Sequence, residues 1–113
     1  MLAIKRGSRG AKMFGIQPEM FWAHSIADQV YAEFGIKECV LTEGTGGVHR
    51  AVVHYLGFAI DIRTKNIMPG RPQYKRVVLI NEIKVEIQKR LGNEYRIIFE
   101  EKKVHFHIVF DPR

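Results

Sequence analysis

The chain has 113 residues, of which 46% are hydrophobic, and this size allows one globular domain with a modest core. It contains no apolar run long enough to cross a bilayer, and its single cysteine, Cys39, excludes an internal disulfide bond. The net charge of +6 predicts attraction to polyanions, such as nucleic acids, anionic lipid headgroups and anionic cell-wall polymers. Charge alone does not choose among these partners.

The first fifteen residues are basic and contain several glycines, and they lack the apolar middle of a secretory signal. We therefore predict a flexible basic arm over residues 1–15, followed by one domain over residues 16–113. The absence of a signal predicts synthesis in the cytoplasm. The sequence leaves the oligomeric state open.

A first helix is predicted within residues 15–36, because Pro18 suits a first helical turn and Gly35 suits the residue that ends a helix. Its apolar residues recur at helical spacing and should face the core: Met20, Ala23, Ala27, Val30, Tyr31 and Phe34. A short strand, CVLT, follows. A glycine-rich loop over residues 43–57 then leads to a second strand, FAIDIRT.

A second helix is predicted from Tyr74 to Leu91, with an apolar stripe along one side and Gly92 as its stop. The C-terminal segment YRIIFEEKKVHFHIVFDPR is typical of a β-hairpin with the charged EEKK at its turn. The sequence therefore predicts an α+β fold, in which two helices pack on one face of a small, mainly antiparallel sheet.

The last predicted strand, VHFHIVF, separates apolar side chains from imidazoles. Side chains alternate between the two faces of a strand, so Phe106 and Ile108 share one face while His105 and His107 share the other. Two imidazoles beside a carboxylate from another strand make a candidate metal site.

The stretch HYLGFAID, residues 54–61, places a carboxylate inside an apolar strand. Asp61 is therefore either a surface residue of an edge strand or the partner of a cation. Three ligands drawn from His and Asp, with one open position, are what a catalytic zinc ion needs. The candidate ligands are His54, Asp61, His105 and His107, and Glu100 and Glu101 are the acids close to the histidines.

The segment VVHYLGFAIDIR, followed by HFH near the C-terminus, resembles the zinc D-alanyl-D-alanine carboxypeptidase family. That family includes D-Ala-D-Ala dipeptidases and phage L-alanyl-D-glutamate endopeptidases, and it shares its fold with the hedgehog signalling domain. Its motif S-x-H-x-x-G-x-A-x-D is matched here at His54, Gly57, Ala59 and Asp61. Its segment T-S-G-x-x-x-x-H is similar to LTEGTGGVH, at Thr42, Gly44 and His49.

This resemblance implies that His54, Asp61 and His105 hold a zinc ion and that the substrate is a peptide bond in peptidoglycan stem peptides. A small chain without an export signal would suit a phage-encoded enzyme that reaches the cell wall by other means. Substrate binding is assigned to His49, Arg50 and His107. An arginine such as Arg50 or Arg63 can take a substrate carboxylate through paired hydrogen bonds.

The sequence departs from the family pattern at three places, one of which is Glu43, where the family often has serine. Val52 stands where the family has serine, and Lys102 stands three residues before His105, where the family has its catalytic glutamate. Glu101 is the nearest replacement, since the turn predicted there allows the backbone to compensate, and we predict it as the general base.

Two other functions stay open. One is a catalytically inactive member that binds zinc and cell-wall peptide. The other is a basic nucleic-acid-binding module, which is disfavoured because the sequence lacks the stacked aromatic residues of a single-strand binder.

Overall fold

The structure is a computed structural model that describes residues 2–4, 15–44 and 57–112. Within these residues the chain forms two α-helices and one five-stranded mixed sheet, so the predicted α+β class is confirmed. In chain order the elements are β1 (Leu2–Ile4), α1 (Pro18–Glu33), β2 (Cys39–Glu43), β3 (Ala59–Arg63), α2 (Gln73–Leu91), β4 (Tyr95–Glu100) and β5 (His105–Phe110).

The strands lie in the order β1-β2-β3-β5-β4, with β1 parallel to β2 and every other neighbouring pair antiparallel. A 3-10 turn, Glu101–Lys103, joins β4 to β5. The hairpin at the C-terminus and the two central strands therefore agree with the sequence prediction of a mainly antiparallel sheet.

β1 is an element that sequence analysis did not predict. It lies within the segment 1–15 that was interpreted as a basic arm, and residues 5–14 of that segment are outside the described part of the chain. Leu2 pairs with Cys39 and Ile4 with Leu41, so the strand gains its hydrogen bonds from a partner distant in sequence.

Both helices begin and end close to the predicted residues. Pro18 opens α1, and Gly35 follows its end with a φ of +81°, a conformation that glycine adopts without steric cost. Gly92 follows α2 with a φ of +85°. Arg90 on α2 donates to Glu33 on α1 at 2.5 Å and to Glu86 at 2.8 Å, which joins the two helices at their surface.

The core lies between the helices and one face of the sheet. Alternate residues of the central strands are fully buried there and pack against apolar residues of α1 and α2. The main sheet residues on this face are Leu41, Ile60, Ile62, Phe106 and Ile108. Because side chains alternate, the residues between them point to the opposite face, and that face holds the candidate site.

Gly57 explains one part of the HYLGFAID stretch. It is buried with a φ of +80°, and a Cβ placed on it would lie 2.1 Å from the carbonyl oxygen of Gly15. The backbone N–H of Gln17 donates to the Gly57 carbonyl at 3.0 Å. This glycine therefore allows the chain entering β3 to pass directly against the chain entering α1.

Among the residues that the structure describes, neither helix combines the length and the apolar character that a membrane span requires.

Candidate metal centre

Two rows of side chains cross strands β4, β5 and β3 on the sheet face that points away from the helices. The strand register sets the members of each row, because antiparallel partners project to the same side. The first row is Glu100, His105 and Arg63, and the second is Ile98, His107 and Asp61.

Asp61 is the buried carboxylate of this face, with only 5% of its side chain exposed. Its Oδ1 lies 2.8 Å from Nδ1 of His107, and its Oδ2 lies 3.7 Å from Nε2 of His105. An ionised carboxylate only accepts hydrogen bonds, so His107 donates from Nδ1. Burying a carboxylate is costly unless it is compensated, and the two imidazoles supply part of that compensation.

Glu100 is the second carboxylate of the site. Its Oε1 lies 2.9 Å from Nε2 of His105, and its Oε2 lies 3.7 Å from Nζ of Lys103. Burial raises the pKa of Glu100, but the hydrogen bond from His105 and the charges of His105, Lys103 and His107 outweigh it, and the net pKa is lowered. Glu100 is therefore ionised at neutral pH and offers a negative charge.

Asp61, Glu100 and His107 converge closely enough to share a metal ion. One ligand atom from each lies within 4.8 Å of the other two. Zinc bonds to oxygen and nitrogen of about 2.0–2.2 Å put neighbouring ligands of a tetrahedral site roughly 3.4 Å apart, so a modest contraction would complete the set. Imidazole and carboxylate donors suit zinc and other divalent transition ions, and the residues therefore fit such an ion.

The ligands predicted from the sequence lie in different places relative to this group. Asp61 belongs to it, and His105 lies beside it, bonded to Glu100. His107, which was assigned to substrate binding, belongs to the group because the register places it directly opposite Asp61. The remaining predicted ligand, His54, lies outside the described residues, as do His49 and Arg50.

Glu101, the predicted general base, lies in the 3-10 turn and is exposed. Its Oε2 accepts a hydrogen bond of 2.9 Å from Nε2 of Gln73, at the start of α2. Val104 has a left-handed backbone with a φ of +50°, which closes the turn just before β5. Glu100 is the last residue of β4 and faces His105 across the strands, so it occupies the site and Glu101 turns away.

The scaffold behind the site is well packed. The buried Tyr31 donates its hydroxyl to the Arg63 carbonyl at 2.8 Å, and burial raises the pKa of Tyr31, so the hydroxyl stays protonated. The ring of Tyr31 meets Phe106 edge-on with centroids 6.5 Å apart. These contacts fix β3 and β5 from the core side, which holds the register of the polar face.

In comparisons with known proteins, no protein-family model, no curated protein and no solved structure matches the chain.

Proposed function

We propose that the protein is a zinc-dependent peptidase that hydrolyses a peptide bond in peptidoglycan stem peptides. The observation that carries this proposal is the convergence of Asp61, Glu100 and His107 within 4.8 Å on one sheet face. The resemblance of VVHYLGFAIDIR and HFH to the zinc D-alanyl-D-alanine carboxypeptidases supports the reaction class, the zinc ion and a related fold.

Each residue of the site has a role in this proposal. Asp61, Glu100 and His107 would hold the zinc ion, which supplies a Lewis acid that polarises the peptide carbonyl and makes water more acidic. The hydrogen bond of 2.8 Å between Asp61 Oδ1 and Nδ1 of His107 already holds these two groups next to each other. His105 is the neighbouring imidazole that can take a proton from water and deliver it to the leaving amine.

The reaction consumes one water molecule. The water oxygen bonds to the carbonyl carbon, the C–N bond breaks, and the nitrogen leaves as an amine after it gains a proton. In this proposal, binding of the ion by Glu100 would release Nε2 of His105, which now lies 2.9 Å from Glu100 Oε1, to take the proton from water and pass it to the amine.

A second candidate function is an inactive relative that binds zinc and cell-wall peptide. The observation that favours it is the hydrogen bond between Glu101 and Gln73, which holds the predicted base at the surface. In that case the metal centre would serve recognition alone.

Metal content tests the ligand set. Protein purified without added zinc and then titrated with it should bind about one ion per chain. Asp61→Asn and His107→Gln should lose the ion, while His105→Gln should retain it. Loss in His105→Gln with retention in His107→Gln would instead favour the set His54, Asp61 and His105. A parent protein that takes up no zinc rejects the proposal.

Zymography on peptidoglycan tests the reaction. The zinc-loaded parent should clear the substrate, and His105→Gln should clear it far more slowly at unchanged zinc content. Glu101→Gln should behave like the control Glu82→Gln, an exposed position on α2. Zinc uptake without clearing by the parent supports the inactive relative. Loss of clearing in Glu101→Gln returns the role of base to Glu101.

A further inference from the structure

Charge is distributed unevenly over the part of the chain that the structure describes. This part contains twelve lysines and arginines and twelve aspartates and glutamates, so these charges cancel. Residues 64–76, which follow β3, and residues 101–104, which follow β4, hold six of the cations and one of the acids. The other described residues hold six cations and eleven acids. We name the two segments the basic end, because they concentrate positive charge beside a negative remainder.

Hydrogen bonds bring the two segments of the basic end together, although they are far apart in sequence. The backbone N–H of Thr64 donates to the carbonyl of Val104 at 2.8 Å. Nε2 of Gln73 donates to Oε2 of Glu101 at 2.9 Å. Arg76, in the first turns of α2, donates from Nη2 to the Thr64 carbonyl at 3.3 Å. The chain leaving β3, the start of α2 and the turn between β4 and β5 therefore form one surface.

The basic side chains of this surface are accessible to a ligand. Five of the six are exposed to solvent: Lys65, Arg71, Lys75, Lys102 and Lys103. Lys103 has an acidic partner, since its Nζ lies 3.7 Å from Oε2 of Glu100, but an exposed ion pair of this kind contributes little free energy. Clustered lysines and arginines bind polymers of phosphate groups, because binding releases the counterions of the polymer.

An aromatic ring lies among these cations. Tyr74 is the second residue of α2, next to Lys75, and it is 69% exposed. An exposed ring beside cations suits a single-stranded nucleic acid, whose bases are free to stack on the ring while its phosphates contact the cations. The bases of a duplex stack on one another instead, and acidic polysaccharides and acidic proteins have no bases. The combination therefore favours a single strand.

We propose that the basic end binds single-stranded nucleic acid, with phosphates at its lysines and arginines and one base stacked on Tyr74. The sequence alone disfavoured a nucleic-acid module, because it lacks a row of aromatic residues. One ring supports one stacked base, so phosphate contacts supply most of the affinity. The inference goes beyond the proposed function and does not depend on it, because Asp61, Glu100 and His107 lie outside the basic end.

Fluorescence anisotropy with a labelled oligothymidylate tests the surface, in the presence of a chelator so that no metal ion contributes. Two double variants remove the same charge: Lys65→Gln with Lys102→Gln at the basic end, and Lys84→Gln with Lys89→Gln on α2 as the control. The first pair should weaken binding at least about tenfold. It should also lower the slope of log affinity against log salt concentration by about 1.4, as the loss of two phosphate contacts predicts. The control pair should change both quantities far less.

Tyr74 tests the choice of a single strand. Tyr74→Ala should weaken binding of the oligothymidylate at least about fivefold, because one stacked base is lost, whereas Tyr74→Phe keeps the ring and should bind like the parent. A duplex of the same length should bind the parent and Tyr74→Ala equally.

Four results would overturn the assignment. Equal losses in the two lysine pairs would show attraction to net charge alone. Polyglutamate that competes as well as unlabelled oligothymidylate would show that phosphates and bases are not recognised. Undiminished affinity in Tyr74→Ala would remove the stacked base, and a parent protein that does not bind the oligothymidylate would reject the surface altogether.

Discussion

The two faces of the sheet are built from the same strands and held by different forces. Ile60, Ile62 and Phe106 on one face are fully buried and need only apolar neighbours. On the other face, Asp61 and His107 need each other, because a buried polar group without a hydrogen-bond partner costs free energy. Apolar burial on the first face therefore stabilises the fold, whereas the polar groups of the second face are costly to bury and are held in place by their hydrogen bonds.

Two neighbouring isoleucines in β4 lie on opposite faces of the sheet, and their substitution should give the largest difference in the free energy of unfolding. Ile97 is 4% exposed on the core face, whereas Ile98 is 43% exposed on the polar face. Ile97→Ala should lower the free energy of unfolding by about 2–5 kcal/mol, because it removes buried methyl groups and leaves a cavity. Ile98→Ala should cost less than about 1 kcal/mol. Urea denaturation of both variants measures the difference, and equal losses would contradict the division.

A substitution at Gly57 tests the close contact between the chain entering β3 and the chain entering α1. Gly57→Ala should lower the free energy of unfolding by roughly 3 kcal/mol, because the new Cβ collides with the Gly15 carbonyl and the φ of +80° is strained for alanine. Gly70→Ala is the matched control, since Gly70 has a φ of +82° with no atom near its Cβ position. Similar losses in the two variants would show that the close contact with Gly15 is unimportant.

Zinc bound at the polar face should stabilise the folded protein, because it binds the folded state and not the unfolded one. At free zinc one hundred times the dissociation constant, the free energy of unfolding should rise by about 2.7 kcal/mol. A chelator should reverse the gain, and Asp61→Asn should show none. Thermal melts with and without zinc measure the effect. A gain of equal size in Asp61→Asn would place the bound ion elsewhere.

The smallest expected effect concerns His24, a histidine on the core side. Burial lowers its pKa below 6.5, and the hydrogen bond of 2.8 Å from its Nε2 to the Cys39 carbonyl opposes this only in part. The unfolded chain therefore binds a proton near pH 6.5 that the folded chain takes up only at lower pH, so stability falls as the pH drops below about 6.5.

His24→Gln removes this titration and keeps an N–H donor for the Cys39 carbonyl. Urea midpoints measured from pH 7 to pH 5 should fall less in the variant than in the parent. Parallel curves would show that the protonation of His24 does not contribute.

Local patterns in the sequence were sufficient for most of the fold. Helical spacing of apolar residues, with Pro18 at the start of α1 and glycines after both helices, predicted where the helices lie. Alternation in VHFHIVF predicted that His105 and His107 share a face. Both features depend on residues that are close in sequence, so the spacing of apolar residues is sufficient to predict them.

The parts that the sequence did not predict depend on pairing between distant residues. β1 was missed because three residues carry little periodicity and their partner, β2, lies beyond α1. The register of β3 against β5 places His107 opposite Asp61, and no local pattern contains that register. Likewise, Glu100 could be distinguished from Glu101 only after the last residue of β4 was known.

β1 also bears on how copies of this chain behave towards one another. It occupies the outer side of β2, where Cys39–Leu41 would otherwise present unpaired N–H and C=O groups. A bare edge of that kind is a template for a strand of another molecule and leads to aggregation. The three-residue strand β1 pairs with these groups of β2. Deleting residues 2–4 should therefore make the protein less soluble well before it alters the core.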